Sequence, residues 1–460
     1  MAAGVELQYL PSPPSQGVWV RYGADADNGP GSARCLKIPY VPSAWRLFAT
    51  SSDASGVALV DALPAVLGET AAGSDGATTI PFDVVANAFY FLTSWSERVG
   101  RTATSSRQLH ANSTFARLRL PQDIVDRYLD RILKVLDACC DRCPERRFDR
   151  AYWPGGAPFA IVLSHDVDFI PTGLYDTLRQ GAKTVVRHIV RQRSPRDGLA
   201  AFRGLTRALL SGHDAYGCVP EIIAREQAEG VCSSFQVAVG HRHPDDVNYH
   251  IDDDAICDYL RAIPSAGFDL CLHGSYRSTE QIEWYLEEVA LLSRRLGCPL
   301  GSRQHFLSFD YDNLFRAQER AAIQYDMSLG FPDRTGPRNG FSYPFFPYCL
   351  DEDRPYNVIE INLVLMDVTL QSYMALKGAA AREAIDAQLN DLMRKRGCAS
   401  VVWHPIVFGG ARDPGYDELY WGLVRRTREL GGLATDGRTI NAFWRERATR
   451  YASFAPTVRS

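Results

Sequence analysis

From residue 159 to residue 404, short apolar runs alternate with longer helical patterns, and no other feature narrows the fold as much. The runs are 159–164, 233–239, 268–273, 300–303, 323–327, 358–363 and 400–404. Each has the length of a strand buried on both faces. Between them 279–297 is the clearest helix. Ile282, Tyr285, Val289, Leu292 and Leu296 form one apolar stripe, and Gly297 is a stop. Strand then helix, repeated in this way, predicts a mostly parallel sheet. The number of runs suits a barrel or a doubly wound sheet, and in both the chemistry gathers at the carboxyl ends of the strands.

Those ends carry polar and ionisable residues. The first ends in Ser164, His165, Asp166 and Asp168, the third in His273, and the fourth in Arg303 and His305. The fifth carries Asp326, and the last ends in Trp403-His404-Pro405. Acids, histidines and an arginine on five separate strand ends point to a site rather than to packing.

In an extended segment alternate residues face the same way, so Asp166 and Asp168 point together and His165 points to the opposite side. Two close carboxylates repel, and a bound cation relieves them. Asp168 could instead cap a helix before Phe169. His273 follows an apolar strand directly. A neutral imidazole beside a carboxylate suits zinc or another transition metal, with one position left for water. Such a cation polarises a carbonyl. Pro405 holds His404 at a turn, where it could give a proton to a departing nitrogen or simply pack on Trp403. Arg303 could pair with Asp166 and hold it ionised, or form an ordinary surface ion pair.

The remainder sets the frame. The chain has 460 residues, which suggests two or three domains. Residues 1–150 read as an accessory α+β domain and 151–460 as the barrel, with the Pro- and Gly-rich stretch 152–158 as the boundary. Within the first part 81–98 and 121–139 have helical apolar spacing, 17–22 is strand-like, and 71–79 is a loop. A net charge of −4 gives no general footprint for nucleic acid or an anionic membrane. The basic stretch 183–196 is a candidate patch, expected as a solvated helix face. No secretory signal and no run of ~18 apolar residues is visible, so a cytoplasmic protein without a membrane span is expected. Eleven cysteines, an odd number, fit reduced thiols. Cys139, Cys140 and Cys143 are the only cluster and are expected at a helix end rather than on zinc.

The segments HDVD, LHGSY, RQHF, YDMSLGF, RNGFSYPF and WHP occur in the order found in the polysaccharide deacetylase (NodB-homology) superfamily. The chain most resembles the bacterial branch with an HDVD first motif, and 80–97 resembles the accessory N-terminal domain of that branch. The resemblance implies a deformed (β/α)7-type barrel and a divalent metal, zinc before nickel, cobalt or iron. It implies Asp166 as the base, Asp168 and His273 as metal ligands, Arg303 as the residue that steadies the base, and His404 as the general acid. Asp326 would orient His404 or the substrate, Arg338 would bind a substrate anion or hydroxyl, and Trp403 would line the substrate. A backbone N–H near Phe306 would meet the oxyanion.

Two features depart from the pattern, and one is that Val167 splits the adjacent Asp-Asp of the first motif. Four residues after His273, where the superfamily has a second histidine, stands Arg277, which cannot ligate a metal. Either His305 supplies the third ligand, or water does, or the metal site is lost. The expected function is removal of an N-acyl group, N-acetyl first, from a sugar or sugar-containing intracellular substrate. Arg277 supports a different class, a non-catalytic carbohydrate-binding or assembly module. A third class is a metal-independent hydrolase using Asp166 and His404. The expected partner is a glycan or small molecule, with a homo-oligomer left open.

Overall fold

The computed structural model describes residues 19–23, 35–50, 52–60, 63–68, 80–99, 109–140, 153–191, 193–212 and 214–452. The barrel strands are β1 (Ala160–Val167), β2 (Ser234–Ala238), β3 (Asp269–Gly274), β4 (Gly301–Gln304), β5 (Tyr325–Asp326), β6 (Ile359–Glu360), β7 (Leu363–Met366), β8 (Cys398–Val402) and β9 (Leu433–Thr435). All pair in parallel, in the order β6-β5-β4-β3-β2-β1-β8-β7, with β9 also on β1. Because β6 lies on β5 and β7 lies on β8, the one segment 359–366 joins both ends of the sheet. The sheet therefore curls on itself into a deformed (β/α)7-type barrel. The strand β9 was not foreseen, and it wedges against the first half of β1.

Alternation along the strands sorts the apolar residues. Ala160 and Val162 of β1 meet Cys271, Tyr325, Met327 and Cys398 inside the barrel. Ile161 and Leu163 meet the surrounding helices. Tyr325 closes the end of the barrel opposite the strand carboxyl ends. Its ring lies against Gly301 and Gly437, where a Cβ would come within 2.2 and 2.4 Å of it, so no other residue fits at either place. Its hydroxyl donates to Asp269, which also accepts from Ser234 Oγ at 2.6 Å. Burial, with Asp436 nearby, pushes Asp269 up to about 6.

The helices that bear on the site and its surroundings are α1 (Val84–Leu92), α2 (Trp95–Val99), α3 (Ile124–Cys140), α4 (Leu174–Val186), α5 (Pro195–Ser211), α6 (Val219–Glu229), α7 (Ile282–Arg295), α8 (Tyr311–Arg320), α9 (Gly378–Lys395), α10 (Tyr416–Glu429) and α11 (Gly437–Ala452); Pro42–Thr50 and Asp254–Leu260 are also helical. The single helix expected over 81–98 is two, because Ser94 sits at φ 50° between α1 and α2. The loop expected over 71–79 and the side chains of the Cys139, Cys140 and Cys143 cluster lie outside the described residues. No helix among the described residues is long and apolar enough to cross a membrane.

The described residues before 153 share an apolar cluster that includes Leu36, Phe82, Tyr90 and Tyr128, and the barrel loop adds Phe331 to it. Ion pairs tie this part to the barrel. Arg98 pairs with Asp312, and Glu97 takes both Nε and Nη2 of Arg338 at 3.0 and 2.7 Å. Buried Asp126 of α3 accepts from Ser342 N and Oγ at 2.9 and 2.7 Å and lies 3.0 Å from Lys395 Nζ at the end of α9. Asp126→Ala leaves that ammonium buried with less compensation. It is expected to cost about 3 kcal/mol, read as a lower urea midpoint; a loss below about 1 kcal/mol would show that the tie is not structural.

Candidate active site

Residues Ser164 and Asp166 continue the inward face set by Ala160 and Val162, so β1 delivers a carboxylate to the carboxyl-end mouth. Arg303, fully buried on the neighbouring wall, crosses to it. Its Nη1 donates to Asp166 Oδ1 at 2.7 Å and to Ser164 Oγ at 2.9 Å, and its Nε donates to Met327 O at 2.9 Å. Burial disfavours the charge on Asp166, but Arg303, then His273 and His404, outweigh it and hold the carboxyl below its usual range.

Asp168, just past the strand, is reached by three imidazoles. Its carboxylate lies 3.1 Å from His273 Nε2, 3.7 Å from His305 Nε2 and 3.4 Å from His404 Nε2. Burial works against its charge, but His305 and His273 hold it well below the usual carboxylate range. One ligand atom each from Asp168, His273 and His305 fall within 4.8 Å of one another. The donor chemistry fits a cation. His273 Nδ1 lies 3.0 Å from the Arg303 carbonyl, which can only accept, so the proton sits on Nδ1 and Nε2 presents its lone pair. That Nε2 and Asp168 Oδ1 are both buried without a hydrogen bond, which is costly unless something positive joins them. Two imidazoles and a carboxylate with a fourth side open are a zinc-type donor set.

His404 N and Nδ1 both meet Asp367, at 3.0 Å to Oδ2 and 2.7 Å to Oδ1. Burial opposes a charge on the ring, but Asp367 prevails and pushes it up to about 9. Sequence reasoning missed Asp367. It directly follows Leu363–Met366, a strand end carrying an acid like the others, but the expected strand stopped at 363.

Arg277 turns to the surface, where it pairs with Glu280 at 3.3 Å, and His305 stands at the mouth instead. Phe306, beside it, adopts φ 58° and stacks its ring on His305.

Three expected substrate contacts are corrected by the structure. Trp403 is fully buried on the outer face, where its indole N–H donates to Tyr416 O, because the alternation that turns Val402 inward turns 403 outward. Asp326 alternates with inward Tyr325 and Met327, so it faces the helices and accepts from Gln318 Nε2 of α8 and Ser328. It does not orient His404; Asp367 does. Arg338 is held by Glu97 in the tie described above.

His165 points away from the mouth, as its parity requires. Its Nδ1 lies 2.7 Å from Trp403 O and its Nε2 3.1 Å from Glu226, so it fastens β1 to the turn that carries His404. On the other side, buried Glu288 of α7 accepts from Ser275 N at 3.0 Å and from Ser275 Oγ, clamping the turn beyond His273. A cavity of about 680 Å³ lies away from this mouth, lined by Arg203, Asp214, Arg225 and Trp421 among others.

No family model matches the sequence, and no curated protein matches it. Among solved structures, the chain is similar to a putative polysaccharide deacetylase from Mycobacterium smegmatis, at 15% identity and a TM-score of 0.42, covering 65% of this chain and 94% of that one. It is also similar to Puue allantoinase, at 14% identity and a TM-score of 0.41, covering 64% of this chain and 94% of that one.

Burial pushes the Glu288 carboxyl from its ordinary 4.5 up to about 7. A raised acid favours the folded state fully below the lower value and loses that contribution as pH rises through the higher one. The unfolding free energy of the wild type, relative to Glu288→Gln, is therefore expected to fall by about 3 kcal/mol between pH 4 and 8. Parallel stability curves for the two proteins would remove Glu288 as the titrating clamp.

Proposed function

We propose that this protein is a cation-dependent hydrolase that removes an N-acyl group, N-acetyl first, from a sugar-bearing substrate. The observation that carries the reading is the meeting, at one barrel mouth, of a candidate Asp168–His273–His305 cation site with a carboxylate held by Arg303 and an imidazole held by Asp367. The order of sequence motifs supports the sugar, and the zinc-type donor set supports zinc over nickel, cobalt or iron.

A divalent cation held by Asp168, His273 and His305 would supply Lewis acidity to the amide carbonyl and stabilise the developing oxyanion. The chain's own groups move the protons. Asp166 has one oxygen on Arg303 and the other turned toward His273, 3.9 Å away. That second oxygen takes a proton from the attacking water as the water oxygen bonds to the carbonyl carbon. Arg303 keeps Asp166 a carboxylate until then. His404, aimed by Asp367, gives its Nε2 proton to the nitrogen as the C–N bond breaks, leaving an amine and a carboxylic acid. Residues 1–150 act as an accessory domain, bracing through Glu97 and Asp126 the barrel segment that holds Arg338 and Ser342.

The reading is tested with purified full-length protein reconstituted with zinc. Asp166→Asn is expected to keep zinc, about one per chain, while acetate release from N-acetylated sugars falls by about 10² to 10⁴. His273→Ala is expected to lose the zinc itself. Absence of bound zinc in the wild type after reconstitution, or full turnover by Asp166→Asn, overturns it. Asp367→Asn is expected to lower turnover by about 10- to 100-fold through misorientation of His404, with zinc retained.

A further inference from the structure

The crossover from β1 to β2 carries a helical hairpin that the site does not use. It consists of α4, a wider-wound turn over Arg187–Arg191, and α5. Of the sixteen large hydrophobic residues exposed among the described residues, ten lie on it. On α4 and the turn Tyr175, Leu178, Val186 and Val190 follow one another at helical spacings along an exposed face. On α5 Leu199, Phe202 and Leu209 do the same, with Leu210 beside them. Tyr175 is 77% exposed and Leu210 89% exposed, which a solvated helix gains nothing from.

The charge is as uneven as the hydrophobicity. Residues 174–211 hold eight Lys and Arg against two Asp, a net of +6 in a chain whose total is −4. Arg179 and Lys183 lie four residues apart beside the apolar stripe of α4, and Arg196, Arg203 and Arg207 run beside that of α5. Basic residues flanking an exposed apolar stripe are the pattern of a helix lying in a membrane interface. The hairpin is braced from below. Arg187 pairs with Asp413 at 2.6 Å, Lys377 pairs with Asp197, and Gly204 packs against the Gly410 backbone so closely that a Cβ would come within 2.3 Å. It starts six residues after Asp168 and rests on the loop that follows His404.

We propose that this hairpin is a docking surface for an anionic lipid bilayer. The apolar stripes enter the headgroup boundary, and the flanking Lys and Arg meet lipid phosphates. Charge decides against a second copy of this chain, because a two-fold contact sets the same patch against itself and opposes +6 to +6. A bilayer supplies both the apolar layer and the opposite charge. The inference stands on the hairpin alone and not on the reaction proposed above.

The test is vesicle co-sedimentation of the full-length protein, with vesicles of phosphatidylcholine alone and of phosphatidylglycerol with phosphatidylcholine at about 1:2. Partitioning onto the anionic vesicles is expected to exceed that onto the neutral ones by about tenfold or more, and to weaken as salt is raised. Leu210→Glu with Tyr175→Glu is expected to abolish it, and Arg203→Glu with Arg207→Glu to lower it about tenfold, all with wild-type circular dichroism and thermal midpoint. These side chains are exposed, so the fold does not depend on them. Equal partitioning on both vesicle types, none on either, or anionic binding that both variants retain overturns the proposal. A wild-type dimer by light scattering that Leu210→Glu dissolves also overturns it, and assigns the face to self-association.

Discussion

The pairing of Arg303 with Asp166 inside the barrel is the interaction on which the rest of the mouth depends. A guanidinium without solvent must be matched by partners on nearly every side, or its burial is prohibitive. Arg303 finds them on Ser164 and Asp166 of β1 and on the Met327 carbonyl just beyond β5, while its own carbonyl faces His273 of β3. One side chain thereby fixes the relative positions of three strand ends besides its own. It also sets the chemistry. It keeps Asp166 ionised in a place where burial alone would protonate it, and through its carbonyl it leaves the His273 lone pair turned into the mouth. Its Nη2 has no hydrogen-bond partner among the described residues, so the donor set is not exhausted by the protein.

Around that pair the site is organised by parity and by supports behind the strands. Inward positions carry the groups that line the mouth, and the outward positions next to them carry their anchors. His165, between Ser164 and Asp166, holds the turn after β8; Trp403, before His404, fills the helix layer; Asp326, beside Tyr325, is bound to α8. Asp367 and Glu288 support their neighbours from the side, one aiming His404 and the other clamping Ser275. The mouth and its scaffold therefore alternate along the same few residues, and a substitution one position away from a mouth residue falls on a support.

The described residues before 153 and the barrel meet through ion pairs and through aromatic contacts such as Phe89 with Tyr348 and Phe115 with Phe331. Arg98–Asp312, Glu97–Arg338 and Asp126–Lys395 are pairs in which at least one side chain is nearly buried, and Phe331 is the barrel residue built into the neighbouring apolar cluster. Buried pairs of this kind give orientation more than net stability. Their effect is to hold the loop from 331 to 350, which follows β5, against the side of the barrel. The exposed stripes of α4 and α5 are the opposite case, apolar residues that no described part of the chain covers.

Much of this was legible in the sequence, because it is written in local periodicity. The alternation of apolar runs and helical stripes specified a parallel sheet, and the carboxyl-end rule pointed to Asp166, Asp168, His273, Arg303 and His404, since strand ends are local features. The choice of His305 over Arg277 was not local: it depends on how the turn after β3 leaves the sheet and how sharply the chain bends at Phe306. Asp367 stayed hidden because 359–366 closes the barrel by changing partners midway, so its strand end is displaced from where an uninterrupted run would place it. Trp403, Asp326 and Arg338 are polar or aromatic residues at plausible places, and only the curvature of the sheet decided which way each one faces. The stripes on α4 and α5 have the periodicity of buried helices. Whether such a stripe is covered is settled by what else in the chain reaches it, and that is a property of the folded molecule alone.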